Sequence, residues 1–351
     1  MNMKKVIIFS IIGLILSSCN QHQSEQRKLK VQAIMNEYKD SVTDFGIVAL
    51  IDNGTFLDTA SIGYSFYKNP ISTKNRFCIG SCTKMFTAVA VLKLQEKGLL
   101  NINDSICYYL PKHPFIDSTI TIKQLLNHTS GIADFLNGGL MNESILDPYG
   151  DYSDKVIYDN IIGENFEKGT RWEYCNTNYF LLTKIIEKVT DKSWEMNIQE
   201  LIINPLQLKN TYPYFSNSIG NLAHPILDGK DFHSTPKRGI HTISIGSGVI
   251  VSDIFDLNTF IRALLIEKTL LSKNSLDLMT SFYSYKSTKW GLGLEEAKYG
   301  NRIMLGHTGR QLSYITYAFV DPKTMESIII MNNNMNDDVI DKVYEKLCGQ
   351  K

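Results

Sequence analysis

The sequence predicts an α+β protein: an antiparallel sheet flanked by helices, with a mostly α domain inserted in its sequence. Strand-like runs bracket turn signals near both ends of the chain, helical periodicity dominates its middle, and the regular strand–helix alternation of a parallel sheet is missing. The 351 residues suffice for two subdomains, and 43% apolar with 21% charged residues is ordinary for a globular protein.

Lys4 and Lys5 precede an apolar run, residues 6–16, that is too short to span a bilayer and ends in Leu16-Ser17-Ser18-Cys19. This resembles the lipobox of bacterial lipoproteins. The resemblance implies a signal peptide over residues 1–18, acylation of Cys19, and a lipid anchor holding the protein to a membrane of the bacterial cell envelope, periplasmic or surface-facing. Residues 19–27 are polar and read as a tether. A helix is expected over residues 25–38. Residues 45–51 and 55–62 then flank Asp52-Asn53-Gly54, a hairpin signal because Asn and Gly accept the positive φ of tight turns. Near the other end, residues 314–320 and 327–332 flank Asp321-Pro322, and residues 337–347 read as a closing helix. Two strand-rich ends imply one shared sheet, so residues 28–80 and 241–351 are assigned to a sheet domain. Residues 81–240 form the α domain, with 179–189 its clearest helix.

Ser81-Cys82-Thr83-Lys84 opens what reads as a long amphipathic helix, with Phe86, Val89, Ala90 and Leu94 at helical spacing and Gly98 as a stop. A lysine there is unusual, because the helix N-terminus carries partial positive charge and disfavours a cation. At i+3 it shares a helix face with Ser81 and can serve, when neutral, as the base that activates a nucleophilic hydroxyl. The other reading is a serine cap followed by a solvated lysine. Two further S-x-x-K tetrads, Ser65 to Lys68 and Ser234 to Lys237, lack this context, one lying in a strand-like run and the other beside Pro236 in a polar stretch.

Composition narrows the partners. Basic and acidic residues balance at 36 each, so no nucleic-acid footprint or polybasic membrane patch exists, and a small-molecule or peptide substrate is expected. There is no G-x-S-x-G elbow, no H-E-x-x-H and no phosphate-cradling glycine loop; His224, His233 and His241 read as surface or loop residues rather than metal ligands. Neither metal nor cofactor is expected. Six cysteines include Cys19, and the remaining five match no zinc pattern and read mostly as small buried hydrophobes.

Two more motifs accompany Ser81: Tyr174-Cys175-Asn176 before the helix near Tyr179, and His307-Thr308-Gly309 after an apolar strand-like run, residues 303–305. With these the chain resembles the serine β-lactamase and penicillin-binding-protein superfamily, in the branch of class C β-lactamases, D-alanyl-D-alanine carboxypeptidases, D-aminopeptidases and esterases. Leu125-Leu126-Asn127-His128-Thr129-Ser130-Gly131, Phe166-Glu167-Lys168-Gly169-Thr170, Asn204-Pro205-Leu206, Gly246-Ser247-Gly248 and Asp256-Leu257 extend the resemblance from about residue 45 to the C-terminus. It implies a site between sheet and α domain and an acyl-enzyme on Ser81. Lys84 and Tyr174 share the proton transfers, and a nearby Lys84 or His307 cation favours the Tyr174 phenolate. Asn176 donates to a substrate amide, and the backbone N–H groups of Ser81 and Arg310 form the oxyanion hole next to His307, Thr308 and Gly309.

The chain departs from the common pattern in places. His307 stands where class C lactamases usually have lysine, which resembles the peptidase and esterase members. Arg310 shares a strand face with Thr308, so it is expected either to bind an anionic substrate group or to turn to solvent. Ser313-Tyr314 replaces a common Gly-aromatic pair and is expected to narrow the site's edge. Cys82 and Cys175 border the motifs and are read as buried spacers rather than a disulfide. Three functions follow: a serine hydrolase of the D-alanyl-D-alanine carboxypeptidase or D-amino-acid peptide kind, a β-lactamase or carboxylesterase on the same site, or a lipoprotein that binds penicillin or cell-wall fragments without turnover.

Overall fold

The computed structural model describes residues 31–150 and 152–349, so Cys19 and the signal and tether segments lie outside the described residues. The first hairpin forms where the turn signal places it. Strand β1 (Gly46–Asp52) and β2 (Leu57–Phe66) are joined through Gly54, at φ +82°, whose N–H donates to Asp52 Oδ1 at 2.7 Å. Strands β3 (Asn69–Pro70), β4 (Phe77–Cys78), β5 (Ile226–Leu227), β6 (Lys230–Asp231) and β7 (Val251–Ser252) are short. Then come β8 (Tyr283–Tyr285), β9 (Thr288–Trp290), β10 (Glu295–Tyr299), β11 (Arg302–Gln311), β12 (Tyr314–Asp321) and β13 (Glu326–Asn332).

The two ends do share one sheet. Its nine strands run β3-β2-β1-β13-β12-β11-β10-β9-β8, and β1 pairs antiparallel with β13 through registers such as Ala49↔Ile330. Strand residues alternate faces. Ile47, Ala49, Ile328 and Ile330 therefore meet Val339, Ile340, Val343 and Leu347 of the closing helix, while Val48, Leu50, Ile329 and Met331 face the larger core on the other side. Covering both faces explains why the central strands are apolar along their whole length. The expected helix over residues 25–38 is helical over residues 31–36, its first part lying outside the described residues.

Four helices matter for the site: α1 (Thr83–Glu96), α2 (Asn176–Thr190), α3 (Ile254–Leu265) and the closing α4 (Asp337–Leu347). The expectation that α1 is amphipathic is corrected, because residues 83–92 are buried on every side. Phe86 stacks on Phe260 of α3 with ring centroids 3.7 Å apart. The polar residues turn inward to partners: Thr83 Oγ1 accepts from Ile250 N at 3.1 Å, and Thr87 Oγ1 donates to the Gly246 carbonyl at 2.7 Å. A helix can be buried all round when each polar group it carries is paired.

Candidate active site

Ser81 sits in a tight 3-10 turn, Gly80–Cys82, that feeds α1. Gly80 takes φ +51° at a close approach, since a Cβ there would lie 2.4 Å from Arg310 N on β11. Gly309 allows the same contact from the strand side, where a Cβ would lie 1.9 Å from the Ile79 carbonyl oxygen. Two glycines thus let the nucleophile's turn lie against the β11 edge. Strand β10 pairs with β11 only as far as Gly306, so residues 307–311 present an open edge to that turn.

Lys84 lies one helical turn on and is completely buried. Its Nζ is 3.2 Å from Ser81 Oγ, 2.9 Å from Asn176 Oδ1 and 3.0 Å from the Ser247 carbonyl oxygen. Burial pulls its pKa down to about 7, with Asp134 chief among the groups opposing that shift. A neutral amine has two N–H bonds and one lone pair. Asn176 Oδ1 and the Ser247 carbonyl can only accept, so they take the two N–H groups and the lone pair is left toward the Ser81 hydroxyl.

Tyr174 completes the nucleophile's environment, its hydroxyl donating to Ser81 Oγ at 2.6 Å. The expectation of a phenolate is corrected. Burial raises the Tyr174 pKa above its ordinary value, and burial lowers His307 to about 3, so His307 supplies no cation. At this geometry a neutral Lys84 offers an acceptor 3.2 Å from the Ser81 hydroxyl, and the Tyr174 phenol keeps a proton it can donate. His307 Nδ1 bonds the Thr308 carbonyl, which requires the proton on that nitrogen, and Nε2 is buried without a protein partner. Its ring packs edge-on against Trp290, centroids 5.1 Å apart.

Asn176 is held at both ends of its amide, with Nδ2 donating to Asp134 Oδ2 at 2.9 Å and Oδ1 facing Lys84. One N–H of Nδ2 remains for a substrate. The His128 motif buttresses this segment from behind. His128 Nδ1 accepts from Cys175 N at 3.2 Å, and Ser130 Oγ donates to Asn178 Oδ1 at 2.6 Å.

A family model described as Beta-lactamase matches residues 42–347. The chain belongs to the beta-lactamase family. Among its relatives, Penicillin-binding protein 4* of Bacillus subtilis is 34% identical over 175 residues, 48% of this chain and 38% of that protein. PbpX of Bacillus subtilis is 29% identical over 327 residues, 89% of this chain and 78% of that protein. The chain thus spans well under half the length of the first of these. A solved D-stereospecific amidohydrolase from Streptomyces sp. superposes with a TM-score of 0.79 at 26% identity, covering 92% of this chain and 98% of the other. That solved structure shares the α+β architecture described above.

Within this beta-lactamase-family site the Arg310 side chain does not reach for substrate. It is half exposed and its Nη1 lies 2.6 Å from the Asp337 carboxylate in the first turn of α4. An exposed pair of this kind contributes at most about 1 kcal/mol. Arg310→Ala is expected to lower kcat/KM by less than about fivefold, equally for carboxylated and neutral substrates. A loss confined to carboxylated substrates would restore the anion-binding role. Ser313 and Tyr314 are both buried, and the Tyr314 hydroxyl donates to the Ala223 carbonyl at 2.5 Å, so this pair belongs to the core and does not narrow the site.

Cys82 and Cys175 are free, buried thiols that donate to the carbonyls of His307 at 3.1 Å and Ile132 at 3.3 Å. Burial raises both thiol pKa values, Cys175 to about 12, which suits spacers. Lys68 is exposed, whereas Lys237, expected in a polar stretch, is buried with Nζ 2.7 Å from the Phe232 carbonyl. Neither belongs to the Ser81 cluster. Sequence reasoning did not single out Asp134 or give Ser247 its role, and it missed Trp290. Asp134 lies three residues past the His128 motif; only that adjacency signals it.

Proposed function

We propose that this chain is a serine acyl-transfer hydrolase acting on D-amino-acid peptides or amides in the bacterial cell envelope, where acylated Cys19 tethers it. The observation that carries the reading is the Lys84 environment, in which both N–H groups are engaged and the lone pair faces Ser81 Oγ at 3.2 Å. Ser81 Oγ attacks the substrate carbonyl carbon as its proton passes to Lys84 Nζ. The carbonyl oxygen becomes the oxyanion, received by the backbone N–H groups of Ser81 and Arg310 at the open β11 edge. Tyr174 donates its hydroxyl proton to the leaving nitrogen as the C–N bond breaks, and the proton that Lys84 took from Ser81 restores the Tyr174 hydroxyl. Water then attacks the acyl-enzyme by the same route in reverse, and the acid product leaves with Ser81 regenerated.

Two features support a substrate without an obligatory terminal carboxylate. His307 is neutral where a lysine would offer a cation, and Arg310 is engaged by Asp337. The likeness to a D-stereospecific amidohydrolase points the same way. The test is hydrolysis of matched D- and L-aminoacyl amides and esters, with intact-mass detection of the acyl-enzyme and Ser81→Ala alongside. Turnover of the D-series and a Ser81-dependent adduct are expected. Rapid clearing of a penicillin adduct with no activity on D-amides would instead make the chain a β-lactamase, and hydrolysis of L- and D-esters alike would make it a general esterase.

A further inference from the structure

We infer that Asp134 is a positioning residue that fixes the amide orientation of Asn176 and thereby aims Lys84 at Ser81. This rests on the acyl-transfer reading above. Asp134 is not part of any of the three catalytic motifs; it lies 42 residues before Asn176 in the chain, and their contact is tertiary. Its Oδ2 accepts from both Asn176 N, at 2.7 Å, and Asn176 Nδ2, at 2.9 Å, while Oδ1 accepts from Leu136 N at 3.0 Å. The segment is stapled to the start of α2 at further points. Phe135 N donates to Thr177 Oγ1 at 3.0 Å, and Thr177 Oγ1 donates to the Ala133 carbonyl at 2.9 Å.

The inference follows from donor and acceptor chemistry. An ionised carboxylate only accepts, so the Asn176 side chain must turn its NH2 group toward Asp134 and its oxygen toward Lys84. With the amide reversed, Nδ2 would meet Lys84 Nζ as a donor. The neutral amine would then spend its lone pair on Asn176 and turn an N–H toward Ser81, leaving the serine proton with no acceptor. Asp134 excludes that arrangement, because the reversed amide would set two oxygens against each other. It also stabilises the lysine cation electrostatically. The other groups around Lys84 carry no charge at neutral pH: the rings of Tyr174 and Tyr179, 4.7 and 5.3 Å from Nζ, the thiols of Cys82 and Cys175, and His128 and His307, whose pKa values burial lowers. Glu295, half-buried on β10, is the remaining carboxyl near Tyr174, and burial raises its pKa.

The test is Asp134→Asn in the full chain, beside the wild type and Ser81→Ala, with an activated D-aminoacyl ester across pH 5 to 9. In the wild type the acylation rate rises with pH through about 7, as Lys84 loses its proton. In Asp134→Asn the limb is expected about 1 pH unit lower, because a nearby negative charge is gone. The plateau is expected about 10²-fold lower, because asparagine cannot reject the reversed Asn176 amide. A lower plateau with an unmoved limb would mark a structural loss and overturn the inference, as would a plateau unchanged. The titration of Lys84 itself, followed by 15N NMR of lysine-labelled protein without substrate, is expected to move by the same amount. If the wild type forms no Ser81-dependent acyl-enzyme, the acyl-transfer reading fails, while an unmoved Lys84 titration is what overturns the role of Asp134.

Discussion

Lys84→Met is expected to abolish turnover and to change how stability depends on pH. A positioned general base contributes roughly 10²- to 10⁴-fold, and no neighbour can replace this one, because burial holds Tyr174 as the phenol and His307 as a weak base. The loss in kcat/KM is therefore expected at about 10³-fold or more, measured with an activated ester against Ser81→Ala as the floor. Stability moves by a separate argument. Lowering a lysine from 10.5 to about 7 corresponds to a cost on the order of 5 kcal/mol at pH 7 and below. Methionine removes that cost but leaves Asn176 Oδ1 and the Ser247 carbonyl without their donor, at roughly 2 kcal/mol each. The net gain is on the order of 1 kcal/mol.

The sign of the pH dependence is sharper than its size. Between about 7 and 10.5 the unfolded chain keeps the Lys84 proton and the folded chain has lost it, so the Lys84 contribution makes the wild type more stable as pH rises. Methionine has no such slope. The stability of the variant relative to the wild type should be greatest at or below pH 7 and should fall toward pH 10, as read by urea unfolding at three pH values. A difference that stays constant with pH would mean that Lys84 is an ordinary cation in the folded protein.

Gly309→Ala is expected to cost about 10²- to 10³-fold in kcat, the loss typical of one missing oxyanion donor. The added Cβ would lie 1.9 Å from the Ile79 carbonyl oxygen and 3.2 Å from Cys82 N, and the first of these distances cannot be kept. Backbone faces backbone there, so strand and turn must part by an ångström or more. The Arg310 N–H then moves off the position opposite Ser81. Overpacking costs about 1–3 kcal/mol, which a chain of this size survives, so melting temperature and kcat measured together separate misplacement from unfolding. Activity within fivefold of the wild type would show that the open β11 edge takes no part in catalysis.

Chemistry that depends on side-chain type at fixed spacing was readable in the sequence. Ser81 and Lys84 needed only helical geometry to be paired, and the two end hairpins needed only turn residues and apolar alternation. Contacts that the fold alone creates were not readable. Asp134 reaches Asn176 across 42 residues, and the Ser247 carbonyl reaches Lys84 across 163. Helix α1 was expected to be amphipathic from the spacing of its apolar residues alone, whereas Thr83, Lys84 and Thr87 each find an internal partner. Strands β8 to β10 went unseen because they are short and partly polar, whereas β11 carries the His307 motif and Arg310 on a strand as expected.

The pairing of β4 with β7 has an evolutionary consequence. The α-rich stretch runs between Cys78 and Val251, which are register partners in a two-stranded sheet separate from the nine-stranded one. Ser81 follows three residues after that closed neck. Whatever lies far out along the stretch can be lengthened, shortened or exchanged as a cassette without shifting the nucleophile, because both ends of the insert are tied at one point. Beyond Phe135 and Leu136, whose backbone N–H groups hold Thr177 and Asp134, residues 137–163 are such a region, and their replacement by the corresponding loop of a relative should change which substrates are accepted while leaving the acylation step intact. Leu136 sets the inner limit of the graft.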